Sequence, residues 1–176
     1  EVSISMLKAL DCRYVIVGHS ERRLCFGETA ETIGEKVKVA VNHGITPILC
    51  VGETMSERSL GMTEKVIGQQ LLTCLKHLRP EQLTQVVIAY EPLWAIGTGR
   101  SATAQDAAQL AKYARQKLRR LMNGDTESMR ILYGGSVTPN NIADFAAAEG
   151  VDGALVGGAS LDPDKFIAIA TAYEVK

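Results

Sequence analysis

The sequence predicts an α/β fold, and within that class a (β/α)8 barrel rather than an open, doubly wound sheet. Two observations support this prediction. Short apolar runs alternate with longer amphipathic segments along the 176 residues, and a polar or glycine-rich stretch follows each apolar run. The alternation implies parallel strands joined by crossover helices. A barrel collects its functional site from the ends of several strands, whereas an open sheet concentrates it at one switch point.

Five apolar runs have the length and the β-rich composition of buried strands. The predicted strands are residues 14–17, 46–51, 86–90, 131–133 and 153–156. Each interval between them has room for a crossover helix. Because an eight-stranded barrel takes about 250 residues, five strand-helix units predict part of one barrel in a single domain.

The predicted helices have residue types that are typical of helix ends. A leading helix precedes the first strand, and a helix follows each of the five strands. The boundaries are Gly44 after the segment 30–43, Thr103 before a helix running to about Met122, Thr138-Pro139 and Asp162-Pro163 as cap and first-turn proline, and Gly150 at the end of the penultimate helix.

The charge balance excludes some classes of partner. Lys and Arg total 19 and Asp and Glu total 20, so the formal net charge is −1. This balance gives no electrostatic case for binding nucleic acid or an anionic membrane surface. The longest uncharged stretch, residues 39–52, is interrupted by polar residues and is shorter than the roughly 20 apolar residues of a membrane-spanning helix. We therefore expect neither nucleic acid nor a membrane as a partner.

The cysteines and histidines do not have metal-ligand spacing. Four cysteines stand 13, 25 and 24 positions apart, and three histidines are equally scattered. This spacing predicts no metal site and favours reduced, mostly buried thiols. The start Glu1-Val2-Ser3 also differs from a basic and apolar secretory signal. We expect a cytoplasmic protein.

Paired glycines follow each of the last two predicted strands. They are Gly134-Gly135, followed by Ser136, and Gly157-Gly158. Barrel enzymes commonly hold phosphate at these two strand ends with backbone amides, and glycine lets the backbone approach an anion closely. A tight strand-to-helix turn is the alternative for either pair alone. No Walker loop or Gly-x-Gly-x-x-Gly accompanies them, so a nucleotide is not indicated.

Two candidate acid-base residues also stand at strand ends. His19 follows the first strand after Gly18, and Glu91 follows the third strand directly. Facing one cavity, they could act as general acid and base. After Glu91, Pro92 and the glycines of the segment 92–99 have the composition of a hinged lid, although an ordinary surface loop with a buried Trp94 is the alternative.

Five separated motifs in a fixed order resemble the triosephosphate isomerase family, and the resemblance covers essentially the whole chain. The motifs are Val-Gly-His-Ser-Glu-Arg-Arg at 17–23, Cys-Val-Gly-Glu at 50–53, Ala-Tyr-Glu-Pro-Leu-Trp at 89–94, Tyr-Gly-Gly-Ser-Val at 133–137 and Val-Gly-Gly-Ala-Ser-Leu at 156–161. The resemblance implies a TIM barrel of which residues 1–176 are the C-terminal part, with a leading helix and strands 4 to 8. It also implies that the asparagine and the substrate-binding lysine of the family's first strand have no counterpart here.

The same resemblance implies a glycolytic isomerase that interconverts dihydroxyacetone phosphate and glyceraldehyde 3-phosphate without a cofactor. Glu91 is then the base that moves the proton, and His19 is the electrophile that polarises the carbonyl group. The backbone amides of Gly97, Ser136, Gly157 and Gly158 bind the phosphate group. The family's homodimer is expected for the full-length protein.

Two other functions stay open at this point. Another phosphosugar barrel, such as an epimerase or an aldolase, would be favoured by a metal or by a Schiff-base lysine at a strand end, and no strand-terminal lysine is visible. A noncatalytic fragment that binds phosphate is favoured only by the missing strands.

Overall fold

A computed structural model describes residues 1–96, 102–122, 126 and 128–173. The strands are β1 Tyr14–Val17, β2 Thr46–Val51, β3 Val87–Tyr90, β4 Ile131–Tyr133 and β5 Gly153–Ala154. The helices are α1 Ile4–Ala9, α2 Ser20–Phe26, α3 Ala30–Asn42, α4 Met55–Ser59, α5 Thr63–Leu75, α6 Pro80–Leu83, α7 Ala104–Leu121, α8 Ile142–Ala147 and α9 Pro163–Thr171. Short 3₁₀ turns lie at Leu93–Ala95 and Gly158–Leu161.

The strands form one parallel sheet in which the spatial order equals the chain order, β1-β2-β3-β4-β5. Each strand therefore pairs with the strand that precedes it in the chain. A doubly wound sheet reverses its strand order at a switch point, and this sheet has no reversal within the described part of the chain. The winding is that of a (β/α) barrel, as predicted.

The strand boundaries differ from the prediction at two places. Strand β3 begins at Val87 because the amide of Val86 donates to the Leu83 carbonyl in the turn after α6, at 3.0 Å. Strand β5 stops at Ala154 because the ladder with β4 holds only two pairs, Leu132 with Gly153 and Tyr133 with Ala154. The chain continues beyond β5 as an irregular segment towards Gly157.

The capping residues at three helices behave as predicted. Thr103 closes a capping box with Asp106 at the start of α7, and the Asp162 side chain accepts the amide of Lys165 at the start of α9. Gly44 lies past the end of α3 with a φ of 74°, in the left-handed region where glycine has no steric penalty.

The predicted helix start at Thr138-Pro139 is wrong. Helix α8 begins at Ile142, and the Asn141 side chain instead closes a polar turn. Its Oδ1 accepts the Thr138 amide at 2.8 Å, and its Nδ2 donates to the Ser136 carbonyl at 2.9 Å. Helix α8 also ends at Ala147, before Gly150, whose φ of 78° places the turn into β5.

The core lies between the sheet and helices α3, α5 and α7. Close helix packing depends on small residues: a methyl group at Gly34 would lie 3.1 Å from the Cys74 carbonyl oxygen on α5. The covered centre contrasts with the edge strand β1, where Tyr14 is 54% exposed and Ile16 is 49% exposed. Among the described residues, no helix has the length and apolar character needed to cross a membrane.

Candidate active site

The carboxyl ends of the strands open into a cavity of about 840 Å³. Side chains and loops from four of the five strands line it, which is the distribution expected of a barrel site. The lining residues used below are His19, Glu91, Ser136, Gly157, Gly158 and Lys165.

Glu91 follows β3 and is only 2% exposed. Its own amide continues the sheet by donating to the Val51 carbonyl at 2.8 Å. The carboxylate accepts a hydrogen bond at Oε2 from the Ser20 amide at 3.2 Å, and its Oε1 lies 3.0 Å from His19 Nε2. These contacts hold a buried carboxylate at the wall of the cavity.

His19 is the N-cap of α2, and this position decides which ring nitrogen carries the proton. Nδ1 accepts the Glu21 amide at 3.4 Å, so in the neutral ring the proton is on Nε2. Nε2 is the atom that faces Glu91. The side chain is 33% exposed, in contrast to the enclosed carboxylate beside it. The helix terminus therefore presents an N–H donor to the cavity.

Burial raises the pKa of Glu91 above its usual value. The His19 ring, the Ser20 amide and the Cys50 thiol counteract this effect only in part. A raised pKa makes the carboxylate a stronger base, which suits a group that takes up a proton and gives it back.

The Cys50 and Arg23 side chains support this wall of the cavity. Arg23 donates from Nε to the Gly18 carbonyl at 2.7 Å and from Nη2 to the Cys50 carbonyl at 2.9 Å, and it thereby joins the ends of β1 and β2. Burial, together with the charge of Glu91, raises the pKa of the Cys50 thiol, so this sulfur stays protonated.

The glycine pairs after β4 and β5 have different surroundings. A methyl group at Gly134 would lie 2.9 Å from Cγ of Glu91, and one at Gly135 would overlap the Tyr133 hydroxyl. Gly157 and Gly158 are exposed, and a methyl group at either would have no described residue within 4 Å. The first pair is required by packing, and the second pair leaves the backbone open to the cavity.

The structure places five of the six predicted site residues around one cavity: His19, Glu91, Ser136, Gly157 and Gly158. The sixth, Gly97, lies outside the described residues, as does the lid segment that follows it to residue 101. Lys165 also lines the cavity and pairs with Asp162 at 3.0 Å. Sequence reasoning missed it because nothing distinguishes it from the other surface lysines of an amphipathic helix.

Sequence reasoning also missed a buried cluster beside the site. Glu53, Arg58, Tyr90 and Trp94 join there, although they are spread over 41 positions of the chain. Among the residues with described positions, no group of three His, Cys, Asp or Glu side chains is arranged to hold a metal ion.

A singly wound parallel sheet with an acid, a histidine and glycine loops at its carboxyl end defines a class, the (β/α)-barrel enzymes. Comparison with known proteins makes the assignment specific. The family model of triosephosphate isomerase matches residues 1–173. This chain belongs to the triosephosphate isomerase family, and the family assignment favours an isomerase over the other phosphosugar barrels.

Individual relatives agree with the family model. The triosephosphate isomerase of Hydrogenovibrio crunogenus is 51% identical over 172 residues, which cover 98% of this chain and 68% of the relative. That of Moorella thermoacetica is 51% identical over 169 residues, which cover 96% of this chain and 68% of the relative. That of Roseiflexus sp. is 52% identical over 169 residues, which cover 96% of this chain and 66% of the relative. The chain thus spans about two thirds of the length of these relatives.

Proposed function

We propose that Glu91 and His19 carry the proton transfers by which this protein interconverts dihydroxyacetone phosphate and glyceraldehyde 3-phosphate. The observation that supports these roles is the 3.0 Å contact between His19 Nε2 and Glu91 Oε1 at the wall of the cavity. One group is a buried carboxylate with a raised pKa, and the other is an N–H donor fixed by a helix terminus.

The reaction needs a base and a hydrogen-bond donor on adjacent carbons of the substrate. Glu91 takes the proton from the carbon next to the carbonyl group, which leaves an enediolate. His19 Nε2–H donates to the oxygen on which negative charge develops. His19 Nε2–H gives its proton to that oxygen, and Nε2 then takes the hydroxyl proton from the oxygen on the adjacent carbon, so the negative charge moves from one oxygen to the other. Glu91 then returns its proton to the neighbouring carbon. A bound carbonyl oxygen takes the place of Glu91 Oε1 beside His19 Nε2, which leaves the carboxylate free to act as a base.

The phosphate group is assigned to backbone amides of the loops after β4 and β5, which line the same cavity. Gly157 and Gly158 are exposed there, and Ser136 stands in the turn that Asn141 closes. Amide N–H groups suit an oxyanion, and residues without side chains let it come close. We assign Gly97 the same role from the family resemblance. Nothing in this scheme uses a cofactor.

The experiment that tests the base is Glu91→Asp in the complete protein. Shortening the side chain by one methylene moves the carboxylate away from the substrate carbon, so we expect kcat to fall about 10²-fold to 10³-fold. Inhibition by inorganic phosphate should not change, since the amides are untouched. Glu149→Asp, at an exposed position, is the matched control. Wild-type turnover in Glu91→Asp, or a loss confined to phosphate binding, would show that the assigned role is wrong.

We further infer that residues 1–176 form the C-terminal part of one barrel domain, with β1 to β5 as strands 4 to 8 of eight. The exposed side chains of β1 and the share of the relatives' length that this chain spans support this inference. We assign a cytoplasmic homodimer to the full-length protein on the family resemblance. Sedimentation of the complete protein tests the dimer, and a monomer at micromolar concentration would contradict it.

A further inference from the structure

A buried carboxylate next to the site is held by groups that the proposed mechanism does not use. Glu53, after β2, is 0% exposed. Its Oε1 accepts hydrogen bonds from the Tyr90 hydroxyl at 3.1 Å and from Trp94 Nε1 at 3.0 Å, and Arg58 Nη1 lies 3.4 Å away. A charge without water is costly unless a partner compensates it. Among these groups, only Arg58 brings a positive charge.

Arg58 also contacts two further groups. Its Nη2 lies 2.9 Å from Asp106 Oδ1, and its guanidinium lies 4.6 Å from the centre of the Trp94 ring. Asp106 is fixed in turn, because its Oδ2 accepts from the Thr103 amide at 3.0 Å and from the Thr103 hydroxyl at 2.8 Å. The guanidinium is thus anchored at the start of α7 and turned towards Glu53.

Glu53 contacts the chain on both sides of Glu91. Before it, the Tyr90 hydroxyl donates to the Glu53 carboxylate. After it, the Leu93 amide donates to the Glu53 carbonyl at 3.0 Å, and the Trp94 indole donates to the carboxylate. A shift of Glu53 would therefore move the backbone of Glu91 from both directions.

We propose that Arg58 is a positioning residue for Glu91: its guanidinium keeps the buried Glu53 carboxylate in place, and Glu53 fixes the chain on either side of the base. The inference rests on the proposed function, since it needs Glu91 to be the base. Arg58 acts on Glu91 through Glu53 and does not contact the substrate.

The first test is Arg58→Met in the complete protein, which removes the charge and keeps a long side chain. We expect kcat to fall about 10-fold to 100-fold, as a displaced base would give, with KM changed by less than about twofold. Arg58→Lys should recover most of the turnover because it restores the charge. Arg79→Met is the matched control, since Arg79 is 70% exposed and pairs with Glu81 only at the surface.

A second readout does not depend on catalysis. Trp94 is the only tryptophan of this sequence, and its ring and indole N–H both touch the cluster. Its emission, obtained as the difference from a Trp94→Phe protein, should change its maximum in Arg58→Met and not in Arg79→Met. An unchanged emission in Arg58→Met would overturn the proposal.

The double variant Glu53→Gln/Arg58→Met tests the route. If Arg58 acts through Glu53, the double variant turns over no more slowly than Arg58→Met alone. If the turnover losses of the Glu53 and Arg58 substitutions multiply in the double variant, the two residues act independently, and the proposal is overturned. Unchanged kcat in Arg58→Met beside an impaired Glu91→Asp would overturn it too, and so would a loss that Lys does not rescue. Wild-type turnover in Glu91→Asp would instead contradict the proposed function.

Discussion

Strand β3 is paired on both sides and is followed directly by the buried carboxylate of Glu91, whereas β5 pairs with β4 over two positions and leads to two exposed glycines. The region after β3 holds the Glu91 side chain in a fixed position, whereas the region after β5 leaves backbone amides accessible to a ligand. The difference matches the two tasks proposed for the cavity. Proton transfer needs a base placed to a fraction of an ångström in a dry environment, while an anion can be held by amides on an open turn.

The largest expected effect comes from a substitution beside Glu91, in the region that fixes the base. His19→Ala removes the N–H donor that faces Glu91, and losing one such donor typically costs about 10²-fold to 10³-fold in kcat. In the β5 region, Gly158→Ala adds a methyl group beside an amide that is proposed to bind phosphate, so its main effect should be a raised KM rather than a lowered kcat. Steady-state assays of both variants in the complete protein measure the contrast. Equal losses of kcat in the two variants would contradict the proposed difference between the two regions.

A second prediction concerns stability and uses glycine in both regions. A methyl group at Gly52 would overlap the carbonyl oxygen of Glu91, so Gly52→Ala must push β2 and β3 apart at the site. We expect a loss of about 3 kcal/mol in the free energy of unfolding, at the upper end for overpacking. Gly158→Ala should change it by less than about 0.5 kcal/mol. Urea unfolding of the complete protein compares the two variants. An unchanged free energy of unfolding in Gly52→Ala would mean that the ends of β2 and β3 are less rigid than described.

The smallest expected effect is electrostatic. Because burial raises the folded pKa of Glu91, its contribution to stability is present below about pH 4.5, the unfolded value, and is lost as the pH rises through the folded pKa. Glu91→Gln removes this loss. Relative to wild type, the variant should gain stability progressively as the pH rises from 4 to 8. Exposed Glu149→Gln should show no such trend, and a constant difference at all pH values would contradict the assigned cause.

Local signals were enough to predict the strands and most helix ends. The apolar runs at 14–17, 46–51 and 131–133 became strands with those boundaries, because a short, β-rich apolar stretch between helices is the local signal of a parallel strand. The Thr138-Pro139 start is wrong by one turn: the Thr138 carbonyl accepts the Ile142 amide at 3.1 Å, but the regular helix begins only at Ile142. The Asn141 side chain, which accepts the Thr138 amide, holds the intervening residues in a turn, and the sequence pattern does not show this contact.

The site was predictable as far as position along strands allows. His19 and Glu91 stand at strand ends, and parallel strands bring those ends together. Arg58 was not predictable, because its contacts with Glu53 and Asp106 depend on how α4 lies against the start of α7. No pattern in the sequence encodes a side-chain contact across 48 positions.

The unbroken strand order has a consequence for how the chain folds during synthesis. Residues paired across neighbouring strands lie from 21 positions apart, for Leu132 with Gly153, to 43 apart, for Ile88 with Ile131. Among these five described strands, each can thus dock on the one completed just before it, and no pairing between them waits for a distant segment. Within this part of the chain, nascent polypeptide leaving the ribosome can extend the sheet unit by unit, and Glu91 acquires its neighbours from β1 and β2 before β4 has been made.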